Sequence, residues 1–388
     1  MKILFLSQGA SVEDHIDFDI GFRNAKSGGK RVEFRNVPYK GYAVEHGWDG
    51  FYREVLRQNE DFRPDVVFFH FFHSGGDTGI ADCCRELRVA ANKPLIFGSS
   101  GDLFNIGWLN RFGKTLPRSL IDLSVNADAT FLTCMGGTAN FLAKKGSKNI
   151  VFVPHAFLPH SFSDWETIPV NCKKHAISMV GSKSSMITRR PLMAVPNAYK
   201  RSRVVGMLRR RFGQEFSIFG NGWPSSISSG SISYFDQVRL FAESRAVVDS
   251  PAPLKEVYYG SDRPFFILGS GSPLVHFHTP RFEKMLRPDE HAFYCYRLRD
   301  VVPVCERITN LPINVLAEHA RKIRIFVKER HLLDHRIDTI LSVAEAIIAH
   351  RRGEFSALEA LRAVRMHHFL PEVDLEEEYE HCTRNWEA

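Results

Sequence analysis

The sequence predicts an α/β protein with two Rossmann-like, doubly wound domains that face a cleft. The first observation is length, since 388 residues exceed the roughly 100–200 that one domain usually takes. The second is the alternation of short apolar runs with helix-length stretches in both halves, which is typical of parallel sheets. The third is a polar, proline-containing stretch between the halves, Pro159–Lys174. We therefore expect domains at residues 1–158 and 159–345, followed by a C-terminal segment at 346–388.

In the first half, each expected strand is an apolar run beside a turn or a helix. The run DVVFFHFF at Asp65–Phe72 is almost continuously apolar, which fits a strand covered on both faces. The predicted strands are Lys2–Leu6, Arg31–Asn36, Asp65–Phe72, Pro94–Phe97, Ala129–Thr133 and Ile150–Val153. The predicted helices are Trp48–Asn59, Ile80–Ala91 and Thr138–Lys145.

The second half repeats this alternation. The predicted strands are Ala176–Val180, Phe216–Phe219, Ala246–Asp249, Pro273–Phe277 and Ala292–Tyr296. The predicted helices are Ala198–Phe212, Ser233–Glu243, Tyr259–Leu268, Ile313–Glu329 and Ile337–Arg351. Ligands of open α/β sheets bind beyond the carboxyl ends of the strands, so the loops after these strands are expected to carry the site.

Composition and charge exclude several classes of protein. No apolar run approaches the ~20 residues that a membrane span needs, and no signal-peptide pattern follows Met1. Seven cysteines without a C-x-x-C pair indicate neither a disulfide framework nor a zinc knuckle, so we expect a cytoplasmic protein. Residues 1–365 contain 50 Lys and Arg against 37 Asp and Glu, and this basic body favours anionic partners.

Three glycine-rich turns in the second half are candidates for phosphate binding. They are Gly181-Ser182, Gly220-Asn221-Gly222 and Gly269-Ser270-Gly271, which follow predicted strands or adjoin predicted helices. Glycine lets backbone N–H groups approach phosphate oxygens, and a helix N-terminus adds a favourable partial charge. Since glycine also ends elements that bind nothing, the three turns together, rather than any one alone, indicate a phosphate site.

Four segments of the second half are similar to one known family. They lie at 175–192, 216–223, 258–277 and 331–340 and read HAISMVGSKSSMITRRPL, FSIFGNGW, YYGSDRPFFILGSGSPLVHF and HLLDHRIDTI. In this order and spacing they resemble the glycosyltransferase family that includes the spore-maturation protein CgeB, within the GT-B group. The segment VFVPHAFLPHSF at 151–162 resembles the hinge before them. The first half resembles the family only in its pattern of elements.

The resemblance implies that the second domain binds a nucleotide sugar, UDP- or GDP-linked, without any other cofactor. Many GT-B enzymes carry R-x-F-E, whose glutamate binds the donor ribose, whereas Phe266 stands in that place here. Asp262 or Glu283 is then expected at the ribose. The expected donor-binding residues are Gly181, Ser182, Arg189, Arg190, Gly220, Asn221, Gly222, Trp223, Ser261, Asp262, Arg263, Gly269, Gly271 and Glu283. In GT-B enzymes a last helix crosses back to the first domain, so residues 346–388 are expected to form such a helix with an acidic tail.

Two side chains of the first half are candidates for catalysis, because an acceptor hydroxyl needs a base. Asp102 follows the strand Pro94–Phe97 on the loop Gly98–Asp102, a position that equally suits a helix N-cap. His73 closes the strand Asp65–Phe72, where a histidine is more often a core or capping group. A metal pair with His70 lacks an evident third ligand.

For two charged patterns, a role at the protein surface is the alternative to ligand binding. Asp17-Phe18-Asp19 has the D-x-D form of metal-dependent GT-A transferases but follows the first strand, so we interpret it as surface and expect a metal-independent enzyme. Arg209, Arg210 and Arg211 end a basic stretch on a predicted helix. They form either a solvated face or the binding surface of a polyanionic acceptor.

Three functions stay open on these residues. The first is transfer of a sugar to a hydroxyl of a glycan or small molecule. The second is the same transfer to a modified base of double-stranded DNA, as phage enzymes perform, which the basic body favours. The third is a non-catalytic nucleotide-sugar-binding protein, which only the missing ribose glutamate suggests.

Overall fold

The computed structural model describes residues 1–74, 77, 79–101, 116–169, 173–183, 198–249, 256–354, 356, 361, 364, 366–370 and 377. Its contacts divide the chain into two compact units. Unit 1 contains Met1–Pro154 and Leu333–Ala388, and unit 2 contains His155–Leu332. The first boundary lies within a few residues of the expected position, whereas the return to unit 1 begins at Leu333, before the expected residue 346.

Unit 1 is built on a six-stranded parallel sheet, in agreement with the predicted alternation. Its strands are β1 (Lys2–Ser7), β4 (Glu33–Pro38), β5 (Val66–Phe69), β6 (Leu95–Ser100), β7 (Ala129–Leu132) and β8 (Ile150–Phe152), and a short ribbon of β2 (Lys26–Ser27) and β3 (Lys30–Arg31) precedes β4. The order is β4-β1-β5-β6-β7-β8. All four residues of β5 are buried, as the apolar run predicts for a strand covered on both faces.

Six helices accompany this sheet among the described residues. They are α1 (Ile16–Asn24), α2 (Tyr39–Phe62), α3 (Ile80–Val89), α4 (Arg118–Asn126), α5 (Gly137–Lys144) and, after unit 2, α11 (Leu333–Arg351). Helix α2 is interrupted at Gly47, whose φ of 71° is not helical, so the predicted helix Trp48–Asn59 corresponds to its second segment. The Arg336 side chain of α11 is buried and donates from Nε to the Pro154 carbonyl at 3.1 Å.

The interpretation of Asp17-Phe18-Asp19 as surface is wrong. Asp17 and Asp19 are 3% and 8% exposed, and Asp19 accepts two hydrogen bonds from Arg23, at 2.6 and 3.2 Å. The reason is that α1 is covered on two sides. Phe18 stacks on Phe5 of the sheet at 5.4 Å between ring centroids, while α11 packs so closely that a Cβ on Gly21 would lie 2.4 Å from Ile337 Cδ1.

Unit 2 is built on a second parallel sheet, of five strands. They are β9 (His175–Val180), β10 (Phe216–Phe219), β11 (Ser244–Val248), β12 (Leu274–Phe277) and β13 (Ala292–Cys295), in the order β10-β9-β11-β12-β13. Its described helices are α6 (Ala198–Phe212), α7 (Gln237–Ala242), α8 (Arg263–Ser270), α9 (Val301–Thr309) and α10 (Ile313–Arg330). The strand order reverses between β9 and β11, and such a switch point is where open sheets bind ligands.

Several element boundaries differ from the predicted ones. Gly98–Ser100 belong to β6 rather than to a loop, and the predicted helix Tyr259–Leu268 begins only at Arg263, followed directly by Pro264. Helices α1, α4 and α9 have no counterpart in the prediction. Within the described part of the chain, no helix combines the length and apolar character required to cross a membrane.

Candidate functional site

The carboxyl ends of the unit 2 strands meet at one edge of the sheet, called here the carboxyl edge. The loops after β9 and β10 cross there in direct contact. Gly220 has a φ of +132°, and a Cβ on it would lie 2.7 Å from the carbonyl carbon and oxygen of Gly181. A side chain at this position would therefore push the two loops apart, and glycine is required by both backbone conformation and space.

Backbone and indole hydrogen bonds hold these loops together. The Trp223 Nε1–H donates to the Gly181 carbonyl at 2.7 Å, and the Lys183 N–H donates to the Asn221 carbonyl at 2.8 Å. Trp223 is only 9% exposed and packs into the hydrophobic core of unit 2. The buried indole therefore supports the two loops from the core side. Ser182 and Asn221 are exposed at the carboxyl edge.

Two arginines converge on the same edge. Arg201, in the first turns of α6, donates from Nη1 to the Ser182 carbonyl at 2.8 Å. Arg263 begins α8, whose N-terminus points to this edge because α8 follows β11 and leads into β12. Burial lowers the pKa of Arg201, and the nearby positive charge of Arg263 lowers it further, while Asp249 acts in the opposite direction. The two guanidinium groups therefore contribute positive charge to the same edge of the sheet.

Asp249 is the carboxylate beneath these arginines. It follows β11 directly, its side chain is fully buried, and its Oδ1 lies 4.0 Å from Arg263 Nη1. Its Oδ2 lies 3.2 Å from Nδ1 of His276, a fully buried residue of β12. The cluster thus combines two cationic groups with one carboxylate, and an anion bound at the edge would relieve the repulsion between the arginines.

A second pair of loops completes the edge near α8. The Thr279 hydroxyl donates to the Tyr259 carbonyl at 2.9 Å, and the Tyr258 N–H donates to the Pro280 carbonyl at 2.9 Å. Glu283 follows on the second loop, with its Oε2 3.0 Å from His278 Nε2. Ser261 precedes α8, and its buried hydroxyl has no hydrogen-bond partner within the described ranges.

Ten of the fourteen predicted donor-binding residues lie at this edge or support it. Gly181, Ser182, Gly220, Asn221, Gly222, Trp223, Ser261, Asp262, Arg263 and Glu283 all lie on loops at the carboxyl edge or support them. Gly269 and Gly271 do not. They end α8, about 12 Å of helix from Arg263, and they precede β12, so they lie toward the opposite edge.

The expectation that Gly269-Ser270-Gly271 forms a phosphate loop is therefore wrong. Gly271 has a φ of +83° and terminates α8 as a helix cap, and a Cβ on Gly269 would lie 2.2 Å from Phe157 Cε2. Glycine is required there by helix termination and close packing. Arg189 and Arg190 lie outside the described residues, as does the catalytic candidate Asp102.

His73 lies in unit 1 beyond the carboxyl end of β5, with an exposed side chain. Its loop is fixed by Tyr39, whose hydroxyl donates to the Phe71 carbonyl at 2.7 Å and accepts from the His73 N–H at 3.2 Å. His70 is instead 2% exposed and packs against Phe5 and Phe18. Of the two histidines, His73 is therefore the exposed one and His70 the buried one.

The arginines at the C-terminal end of α6 have other partners. Arg209 donates to the Gly213 carbonyl at 2.8 Å and lies near further carbonyls of the turn after the helix. Arg211 donates to Glu306 and its guanidinium lies 5.3 Å from the centre of the Phe212 ring. Arg210 is exposed. Two of the three predicted polyanion-binding arginines thus have partners within the protein, and the third is exposed.

Sequence reasoning missed Arg201, Asp249 and His276 as site residues. Arg201 had a detectable signal, since it lies three residues before the buried Val204 and seven before Leu208, on the helix face that meets the core. Asp249 and His276 had no signal in the local sequence, because their proximity depends on the register of β11 against β12.

Comparison with known proteins is consistent with this arrangement. Residues 200–342 match the family described as glycosyl transferase-like. No protein of curated function matches the chain significantly. Similar solved structures include the UDP-forming α,α-trehalose-phosphate synthase of Burkholderia xenovorans, at 11% identity over 94% of this chain and 98% of that chain, with a TM-score of 0.54.

Two further structures are similar over most of their length. Sucrose-phosphate synthase of Thermosynechococcus elongatus has 10% identity over 91% of this chain and 98% of that chain, with a TM-score of 0.55. HepE of Anabaena in complex with UDP has 13% identity over 92% and 100%, with a TM-score of 0.51. These likenesses show the GT-B fold, and the family match indicates a glycosyltransferase. The finer resemblance to the CgeB-like family stays a prediction.

Proposed function

We propose that this glycosyltransferase binds the diphosphate of a nucleotide sugar at the carboxyl edge of unit 2 and transfers the sugar to a hydroxyl acceptor without a metal ion. The observation that carries the proposal is the pair Arg201 and Arg263, two guanidinium groups near one another with Asp249 as their carboxylate. Arginine binds phosphate oxygens through paired N–H groups, which suits a diphosphate better than a single charge.

The same groups account for stabilisation of the leaving group. When the sugar departs, negative charge develops on the distal phosphate, and preoriented cations and N–H groups at that point lower the barrier. Arg263 and Arg201 supply the cations. The N-terminus of α8 and the exposed backbone at Ser182 and Asn221 supply the dipoles.

A donor linked to uridine or guanosine diphosphate follows from the resemblance, and two structures of the same fold support the uridine form. HepE is described in complex with UDP, and the Burkholderia synthase is described as UDP-forming. With Phe266 buried in α8, the ribose is proposed to contact Asp262 or Glu283. Glu283 lies in the loop packed against the segment before α8, and one of its oxygens is already oriented by His278.

Metal independence is supported by the position of the D-x-D sequence. Asp17 and Asp19 are buried in α1 of unit 1, and Asp19 is paired with Arg23, so neither is available to a metal-bound nucleotide. Two cationic side chains at the carboxyl edge of unit 2 serve the charge-neutralising role that a divalent ion has in metal-dependent transferases.

The acceptor is proposed to be a glycan or small molecule, with His73 of unit 1 as the candidate base. Its exposed imidazole stands on a loop fixed by Tyr39, which is the arrangement a base requires. Asp102 stays a second candidate. The described residues add no support for double-stranded DNA beyond the basic composition, since Arg209 donates to carbonyls and Arg211 pairs with Glu306.

Hydrolysis of UDP- and GDP-sugars, followed with and without EDTA and with candidate acceptors, tests the proposal. We expect release of the nucleoside diphosphate, unchanged by EDTA and stimulated by a sugar acceptor. Loss of turnover on chelation, restored by Mn²⁺ or Mg²⁺, would contradict metal independence. Transfer to duplex DNA containing hydroxylated pyrimidines, but to no small acceptor, would replace the proposed acceptor class. Binding without hydrolysis or transfer would favour a non-catalytic protein.

A further inference from the structure

We infer that Asp249, held by His276, positions the Arg263 guanidinium at the phosphate site. The inference rests on the proposed function and adds two residues to its machinery. Both are fully buried, and both lie directly below the carboxyl edge. They differ from the arginines in that they do not reach the ligand, so their effect is exerted through Arg263.

The register of β11 against β12 positions the Asp249 carboxylate. Val248 of β11 is paired with Val275 of β12, and the Asp249 N–H donates to the Val275 carbonyl at 2.9 Å, which continues the ladder one residue beyond β11. The next residue of β12 is His276. The carboxylate and the imidazole are thus neighbours because the two strands run in this register, and neither can move without disturbing the sheet.

Aromatic packing fixes the imidazole. The His276 ring stacks on Phe282 with centroids 4.7 Å apart and an interplanar angle of 28°, and Tyr294 meets its edge at 5.8 Å. The Nδ1 atom lies 3.2 Å from Asp249 Oδ2. Oδ2 therefore lies on the side of the imidazole and Oδ1 on the side of Arg263.

The carboxylate is poorly satisfied for a buried group. Within the described residues, neither oxygen of Asp249 and neither nitrogen of His276 forms a hydrogen bond of good geometry. Burying an ionised carboxylate costs several kcal/mol unless a cation and hydrogen bonds compensate. A buried carboxylate whose oxygens the surrounding described residues leave without hydrogen bonds points to a role at the site.

The distance to Arg263 suits that role. Arg263 Nη1 lies 4.0 Å from Oδ1, close enough for electrostatic attraction but too long for a hydrogen bond. Asp249 is the only carboxylate within that distance of Arg263 in the described part of the chain. The guanidinium is therefore drawn toward the edge of β11 while its N–H groups stay available to phosphate oxygens.

A double-mutant cycle tests the inference on the full-length chain, with UDP and uridine, and likewise GDP and guanosine, as calorimetric probes. Asp249→Asn keeps the shape and removes the charge. We expect it to weaken diphosphate binding about five- to tenfold and to leave nucleoside binding unchanged. Combined with Arg263→Ala, it should add little, since the residue that it positions is gone. Asp289→Asn removes a carboxylate paired with Arg307 on the surface of the same unit and is the control.

Unchanged or tighter diphosphate binding by Asp249→Asn, or additive effects in the double variant, would overturn the inference and leave the role of Arg263 intact. If Asp249→Asn does not fold, Arg263→Lys decides. A lysine lacks the fork that reaches both carboxylate and phosphate, so the inference expects at least about a fivefold loss of diphosphate affinity, and full retention overturns it. Failure of the wild-type chain to bind either diphosphate would remove the proposed function together with the inference.

Discussion

The two ends of helix α6 carry the same residue type in opposite circumstances. Near its start, Arg201 is half-buried beside Arg263, with one hydrogen bond to the Ser182 carbonyl. At its end, Arg209 is bonded to carbonyls of the following turn and Arg211 to Glu306. The difference shows that charge density along the sequence does not locate an anion site. What distinguishes the start of α6 is its place at the ligand-binding edge of the sheet, beside the loops after β9 and β10.

Sheet topology explains the difference. Helix α6 connects β9 to β10, and parallel strands require it to start at the carboxyl edge and end at the opposite edge. Its last turn exposes carbonyl groups, which basic side chains satisfy as a helix cap. Its first turns meet the loops after β9 and β10 instead. The same helix therefore contributes Arg201 to the site, whereas Arg209 donates to carbonyls of the turn that follows the helix and Arg211 pairs with Glu306.

The largest effect is expected from Arg263→Ala. A charge-assisted hydrogen bond to phosphate contributes about 1.5–3 kcal/mol, so the affinity for UDP or GDP should fall about ten- to a hundredfold. Arg210→Ala, at the C-terminal end of α6, is the matched control and should leave the affinity for UDP or GDP unchanged. Calorimetry on both variants checks the comparison, and equal affinities would remove Arg263 from the site.

Gly220→Ala, in the loop that contacts Gly181 near the start of α6, should lower both stability and diphosphate binding. Alanine is strained at a φ of +132° and its Cβ would lie 2.7 Å from the Gly181 carbonyl, so we expect a loss of about 1–3 kcal/mol in the free energy of unfolding. Diphosphate binding should weaken too, because the crossed loops separate. Gly213→Ala, with a φ of +54° and open space around it after α6, should destabilise less and leave binding intact. Denaturant unfolding and calorimetry measure the two quantities, and similar behaviour of both variants would contradict the role of the crossing.

Arg201→Ala is expected to have a smaller effect on binding than Arg263→Ala. Arg201 already donates to the Ser182 carbonyl, so only part of its donor capacity is open to phosphate. We expect diphosphate affinity to fall about three- to tenfold, equivalent to about 1 kcal/mol. A titration series with both variants ranks them, and a larger loss for Arg201→Ala would reverse the assignment of the principal phosphate ligand.

The smallest effect is expected from Arg210→Glu. The residue is exposed, and surface substitutions of this kind change the free energy of unfolding by about 0.5 kcal/mol or less. Diphosphate affinity and sugar transfer should be unchanged. If the end of α6 binds a polyanionic acceptor instead, the variant would lose activity toward that acceptor while donor hydrolysis persists. This outcome would contradict the conclusion that only the start of α6 contributes to the site.

Much of this fold could be predicted from local sequence. The strands of both sheets follow from apolar runs, and the glycines at 181 and 220 indicated the loops that do cross. The errors have physical causes. Gly269 and Gly271 have the same composition as a phosphate loop, but they end a helix, and local sequence does not show on which side of a strand a turn lies.

The remaining site residues depend on contacts between distant segments. Asp249 and His276 become neighbours through strand register, and Asp17 and Asp19 become buried because α11, more than 300 residues later, covers α1. The residue pattern within a single segment of the sequence predicts neither the contact between Asp249 and His276 nor the burial of Asp17 and Asp19. Arg201 is different, because its spacing from Val204 and Leu208 already placed it on the inner face of α6.

The most direct test of the central claim is calorimetric titration of the wild-type chain with UDP and GDP against uridine and guanosine. We expect at least one diphosphate to bind at least about tenfold more tightly than its nucleoside, since the Arg263 contact to phosphate alone contributes about 1.5–3 kcal/mol. Equal affinity for diphosphate and nucleoside, or no binding of either diphosphate, would contradict a phosphate site at Arg201 and Arg263.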